Sequence, residues 1–278
     1  MLPMLIVSEI LWWIMFLILY GTGAMVGWKL VKLIVTHTPI PVPLAIVIAF
    51  PLSVIAICFV AGLLCRLLPR LKPGVYGKKD TTMQLAWGLQ YLLTRVLFLG
   101  PMLPFIQFSL ILRWFAWRAM GANVELGSMM SSDIPLPDMP LIEAARGSLV
   151  GSRSRLSTHL MMGGKLTLGP IILGPGAVVG GDCNISPNVK IGEKSILSFS
   201  VLVAQDVTIG KNVFVGKLVR IGSNVTIGDD AVVETESKIP NGTVIPPGGR
   251  WLNPKEDRHV GRLEEASDQA ADEDTAEA

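Results

Sequence analysis

The stretch LGPGAVVGGDCNISPNVKIGEKSILSFSVLVAQDVTIGKNVFVGKLVRIGSNVTIGDDAVVETESKIPNGTVI, Leu173 to Ile245, decides the fold. Stepping by six from Leu173 gives Val179, Ile185, Ile191, Leu197, Val203 and onward to Ile245. All thirteen positions are aliphatic. The residue after each is usually small, as in Gly174, Gly180, Gly192, Ala204 and Gly210. The fourth residue favours Gly, Asn or Asp, as in Gly176, Asp182, Asn188, Asp206 and Asn212. A fixed short period is the mark of a solenoid. Every sixth side chain points inward and fills a narrow core. The turn between flat faces needs left-handed backbone angles, which Gly and Asn adopt at least cost. An amphipathic helix would repeat every 3.6 residues, and this stretch does not.

The pattern resembles the hexapeptide-repeat family, whose left-handed parallel β-helix has three six-residue faces per coil. The resemblance implies a little over four coils for the regular part. Weaker repeats are read upstream as IEAARG from Ile142, VGSRSR from Val150 and LSTHLM from Leu156. The phase slips near Leu168 and Leu173, so a loop or bulge is expected between them.

Of the 278 residues, 50% are hydrophobic and only 17% charged. The mean hydropathy of +0.52 is too apolar for an ordinary soluble domain. The excess lies before Met120, so membrane helices precede the solenoid. Four parts are expected: a membrane domain at 1–81 with two transmembrane helices, amphipathic helices at 82–121, the β-helix at 122–253 and an acidic tail at 254–278. Met4 to about Trp28 and Leu44 to Leu68 are each long enough to span. Pro51 is expected to kink the second. Arg66, Arg70, Lys72, Lys78 and Lys79 follow it, outweighing Lys29 and Lys32 between the spans. That bias puts the β-helix on the cytosolic side of a cytoplasmic membrane.

Thr82 to Ala119 reads as two amphipathic helices lying at the interface, or else as a re-entrant hairpin or a further pair of spans. Two ionisable residues fall in apolar surroundings, Glu9 and Arg95. Each is either functional at membrane depth or near a helix end and reaching the interface. From Lys255 onward nine acidic residues face three basic ones, a net of −6, and disorder is expected there. Cys58, Cys65 and Cys183 show neither a disulfide framework nor metal spacing. No metal and no nucleic-acid partner are expected.

The chain has three histidines, and only His159 lies within the repeats. Left-handed β-helices host acyltransferases, a zinc carbonic anhydrase class and non-catalytic scaffolds. The anhydrase type needs three histidines on one metal, whereas His37 is beside the spans and His259 is in the tail. Acyl transfer from a thioester needs a single base. The context LPDMPLIEAARGSLVGSRSRLSTHLMMGGKLTLGP resembles the histidine segment of membrane-attached hexapeptide acyltransferases. It is especially similar to the C-terminal membrane module of polylysine-synthetase-type nonribosomal peptide synthetases. The matching residues are Leu136, Pro137, Asp138, Thr158, His159, Leu160, Leu168, Gly169 and Pro170. Where that family often carries acidic residues after the histidine, this chain has Met161, Met162, Gly163 and Gly164.

The resemblance implies an acyltransferase with His159 as general base, acyl-CoA or acetyl-CoA as co-substrate and a homotrimer with the site between subunits. The acceptor would be lipid-linked or amphiphilic, since a soluble one gives no reason to embed the enzyme in a bilayer. Asp138 is either the partner that orients His159 or a turn residue before Pro140. Lys217 and Arg220 are the picks for donor phosphates, and Gly180–Gly181 would let a substrate approach the backbone. Two alternatives stand beside this reading: a carrier-protein thioester as donor, and a membrane-anchored scaffold without catalysis.

Overall fold

In the computed structural model the six-residue rhythm is a parallel β-solenoid of about seven turns, preceded by two long apolar helices. This is the arrangement of a left-handed β-helix. The structure describes residues 2–98, 106, 109–131 and 138–252. The acidic tail, with His259, lies outside the described residues, as do Leu136 and Pro137.

Each coil takes eighteen residues, so Leu173, Ile191 and Ile209 stack in register, as do Ile185, Val203 and Ile221. The first face runs from Asn123–Val124 to Val244–Ile245 and the second from Met129–Met130 to Arg250–Trp251, seven strands each. The third has five, from Arg155–Leu156 to Lys238–Ile239. The aliphatic sixth residues are inside: Val179, Ile185, Leu197, Val203, Val215, Ile227 and Val233 are fully buried. Corner residues take φ of 53–62° at every sixth position from Asp182 to Glu236. Lys194, Ser200, Leu218 and Glu236 do so as well as the Asn and Asp residues. The ladder therefore imposes the left-handed angle even where the side chain disfavours it.

The small residue after each inward position has a steric reason. A Cβ on Gly180 would lie 2.5 Å from the Ser198 carbonyl oxygen of the next coil. Trp251 takes the inward position of the last second-face strand, paired with Val233, and packs on the core at that end.

Two upstream stretches depart from the expected repeats. Ala144, not Ile142, pairs with Leu173, so the repeat phase there moves by two residues. LSTHLM is not a repeat. Seventeen residues separate the inward Leu156 from Leu173, where the equivalent step from Ile185 to Ile191 takes six. The excess leaves the coil as a β-hairpin, His159–Met162 against Lys165–Leu168. The phase slip thus falls before Leu168, not between Leu168 and Leu173. Gly163 and Gly164, at φ 59° and 71°, make the two-residue turn, in which both central residues need positive φ. A third strand, Gly74–Tyr76, pairs antiparallel with Lys165–Leu168. The chain leaving the second apolar helix is therefore stitched to the hairpin.

Helices α1 (Leu2–His37) and α2 (Val42–Leu67) are long and apolar enough to cross a bilayer. They pack antiparallel, with Gly23 against Ile57 and Gly27 against Ser53. Helix α3 (Thr81–Phe98) lies against both. The Tyr20 hydroxyl donates to the Val96 carbonyl at 3.2 Å, and Gln90 Nε2 donates to the Pro69 carbonyl at 3.0 Å. Helix α4 (Leu110–Ala119) abuts Gly62 of α2. Its Trp114 Nε1 donates to the Val124 carbonyl of the first coil at 3.0 Å. One apolar core thus runs from Leu19 and Ile57 through Leu93, Val96, Trp117 and Met120 into the solenoid.

Because Gly180 is squeezed by backbone rather than by a movable side chain, Gly180→Ala is expected to destabilise by about 1–3 kcal/mol. Thermal unfolding of the detergent-purified protein checks this.

Candidate active site

The site is built where the hairpin leaves the solenoid. Asp138 precedes a 3₁₀ turn, Met139–Leu141, in which Pro140 needs no backbone donor. Its side chain makes no cap to that turn and is 0% exposed. Its Oδ2 instead accepts from the buried Thr158 hydroxyl at 2.8 Å and lies 2.6 Å from His159 Nδ1. This contact assigns the ring proton to Nδ1 and leaves the Nε2 lone pair free to accept one. The imidazole side chain remains 24% exposed.

Helix α3 supplies the other wall. Trp87 and Tyr91, one turn apart, stack with ring centres 5.6 Å apart. The His159 ring meets both edge-on, at 5.0 Å and 5.9 Å. The Arg95 guanidinium, one more turn along, lies 5.9 Å from the Tyr91 ring centre. Among the described residues two polar atoms here are buried without a hydrogen-bond partner, Asp138 Oδ1 and Trp87 Nε1. Buried polar atoms are nearly always satisfied, so a site with two orphans has room in its hydrogen-bonding for a ligand. Beneath the hairpin Leu71, Ala86, Leu141, Leu166 and Leu168 form a separate small core with Tyr76, Met83 and Trp87 at its edge. That core fixes α3 against the hairpin.

An imidazole with one nitrogen held by a buried carboxylate can take a proton at the other, and the carboxylate then stabilises the imidazolium. Asp138 therefore stands beside His159 rather than merely preceding Pro140.

The remaining sequence-chosen residues are not brought to His159 within one chain. Gly180–Gly181 lies at the corner between the second and third faces, while the hairpin leaves from the corner between the third and first. Lys217 sits in the same corner column as Gly181, two coils on, and is exposed. Arg220 points outward from the third face, three strands from Arg155 and so roughly 14 Å along the solenoid. Cys183 is buried near Gly180–Gly181, and burial pushes its thiol above the usual range, which suits packing rather than nucleophilic work. Among the described residues no three His, Cys, Asp or Glu side chains gather as a metal site. Trp87 and Tyr91 were missed by the sequence reading. The available signal was the four-residue spacing of Trp87, Tyr91 and Arg95, which puts them on one helix face.

Residues 206–241 match the bacterial transferase hexapeptide (six repeats) model. The chain is 26% identical over 105 residues to "Putative acetyltransferase YvoF" of Bacillus subtilis, covering 37% of this chain and 60% of that one. Among solved structures, UDP-N-acetylglucosamine acyltransferase of Francisella novicida is 13% identical, over 45% of this chain and 56% of that chain, with a TM-score of 0.29. The acetyltransferase domain of PglB from Neisseria gonorrhoeae, solved with acetyl coenzyme A, is 14% identical, over 50% and 63%, with a TM-score of 0.24.

Removing the Asp138 carboxylate strands the buried Thr158 hydroxyl and His159 Nδ1. Asp138→Ala is expected to cost about 1–3 kcal/mol of stability. Asp138→Asn, which keeps an acceptor oxygen for Thr158, should cost less in the same thermal unfolding measurement. The chain thus resembles the bacterial hexapeptide transferases in its repeats, over residues 206–241, and spans 60% of the length of the Bacillus subtilis relative.

Proposed function

We propose that this chain is an integral membrane acyltransferase that moves an acyl group from a thioester, acyl-CoA or acetyl-CoA, to a hydroxyl or amine of a lipid-linked or amphiphilic acceptor. The observation that carries the reading is the 2.6 Å His159–Asp138 contact, walled by a helix that also packs on the apolar helices. His159 Nε2 takes the acceptor's proton as its oxygen or nitrogen attacks the thioester carbonyl. The new acyl–oxygen or acyl–nitrogen bond forms and the carbon–sulfur bond breaks. The imidazolium returns the proton to the leaving thiolate. Asp138 holds the Nδ1 proton throughout and so keeps Nε2 in the accepting form.

Helices α1 and α2 are the spans of this reading, with the β-helix on the cytosolic side of the cytoplasmic membrane. The register of α1 on α2, Gly23 to Ile57 and Gly27 to Ser53, sets Trp13 opposite the Leu67 end. Trp12 and Trp13 then lie at the interface, and Glu9 falls beyond it, where a carboxylate costs little.

A homotrimer fits the surface of the solenoid. The outward positions of the second face read Met129, Leu149, Val178, Ile196, Phe214 and Val232, apolar on six successive strands, before Arg250 on the seventh. The other two faces interleave Lys, Arg, Asn and Thr at the same positions. Covering the second face with a neighbouring copy brings the corner column of Gly181 and Lys217 to an interface. There a donor's phosphates would meet Lys217 and Arg220 of one copy while its thioester meets His159 of another.

Two measurements test this. With purified protein in vesicles, His159→Ala is expected to lower acceptor-dependent thiol release about 10²–10⁴-fold, the usual worth of a general base. Full activity in that variant would overturn the assignment. Phe214→Glu is expected to reduce the assembly to single copies by light scattering in detergent. An unchanged mass would show that the second face is not the contact. Thiol release from a carrier-protein thioester and not from CoA esters would favour the carrier-dependent reading.

A further inference from the structure

Arg95 is an ionisable residue beside the site that the mechanism leaves unused, and its depth can be read from the helices. The α1–α2 register sets Tyr20 opposite the region of Val60, seven residues and about 10 Å inside the Leu67 end of α2. Tyr20 bonds the carbonyl of Val96, so the Arg95–Val96 turn sits at that depth. Gln90, bonded to Pro69, marks the level just outside the Leu67 end. Helix α3 therefore descends from the surface at Gln90 toward Arg95. For a helix of 26 residues, about 39 Å long, and a hydrocarbon core of about 30 Å, Arg95 lies near the boundary between headgroups and hydrocarbon. It is exposed there, and among the described residues it makes no ion pair. A guanidinium at that depth is costly without an anion.

Its neighbours point to one. Two steps of 5.9 Å lead from Arg95 to the Tyr91 ring and from that ring to His159. A glycerol- or sugar-phosphate headgroup spans such a path. At its inner end the fully buried Asp138 and the Trp87 indole each hold a polar atom that has no hydrogen-bond partner among the described residues.

We propose that Arg95 is the phosphate anchor of the acceptor site, and that the acceptor is an anionic phospholipid whose headgroup carries a free hydroxyl. The phosphate pairs with the guanidinium, whose fork suits phosphate oxygens. The tails remain in the bilayer, and the hydroxyl reaches His159 Nε2 past Tyr91. The class of acceptor rests on the acyl-transfer reading of His159, while the phosphate contact can be tested without it.

The test is native mass spectrometry of the delipidated full chain in detergent, with phosphatidylglycerol and diacylglycerol added as probes. Wild type and His159→Ala are expected to retain phosphatidylglycerol over diacylglycerol alike. Arg95→Gln is expected to lose that preference about tenfold, the loss of one charge-assisted contact, and Arg95→Lys to recover part of it. An unchanged thermal midpoint in Arg95→Gln, whose side chain is exposed, separates the effect from misfolding. Undiminished phosphatidylglycerol retention by Arg95→Gln would overturn the proposal. Arg95-dependent binding of soluble glycerol phosphate without lipid retention would overturn the lipid source. Retention by His159→Ala without thiol release from any protein would overturn the acyl-transfer reading and support the anchor.

Discussion

The narrow core of the solenoid admits two side chains per face, as with Val207 and Ile209 or Val213 and Val215, and the backbone of each coil bonds to the next at a fixed eighteen-residue interval. That constraint leaves no place inside for extra residues. Any surplus must leave the coil at a corner and fold on its own terms. The eleven surplus residues between Leu156 and Leu173 do so as a hairpin, and its first residue is His159. The departure from the repeat thus builds the site, held at a defined angle by a rigid ladder beneath it.

What fixes the imidazole is a meeting of three parts of the chain. Asp138 comes from the entry to the second coil, Thr158 and His159 from the hairpin corner, and Trp87 and Tyr91 from a helix packed on the apolar pair. The Gly74–Tyr76 strand ties the hairpin to the chain that has just left α2. Helices and solenoid share one continuous core through Trp117 and Met120. A reaction between a water-soluble thioester and a membrane-held acceptor needs this juxtaposition, since the base must reach both phases.

Much of this was legible in the sequence. Thirteen aliphatic residues at one spacing admit a single reading, because neither an amphipathic helix nor an ordinary alternating strand holds a six-residue period. Two apolar runs of spanning length are as plain. His159 stood out as the sole imidazole in the repeats, and Asp138 as one of two readings. The hairpin was not legible as such. His159–Met162 mimics one more hexapeptide, and only the Gly163–Gly164 pair hinted at a tight turn. Trp87 and Tyr91 were hidden for another reason. In an apolar helix an aromatic pair looks like lipid-facing or core packing, and only the docking of α3 on the hairpin turns it toward His159. Lys217 and Arg220 were chosen by charge alone, which says nothing about distance. Within one copy they lie on other parts of the surface from the hairpin.

The account turns on a thioester reacting at His159. The most direct measurement is an experimental structure of the detergent-solubilised assembly with an acyl-CoA analogue in which a thioether replaces the thioester. The account predicts the thioether sulfur beside His159 Nε2, between α3 and the hairpin, with the phosphates against Lys217 and Arg220 of a neighbouring copy. An analogue bound away from His159, with the imidazole facing no ligand, would contradict it.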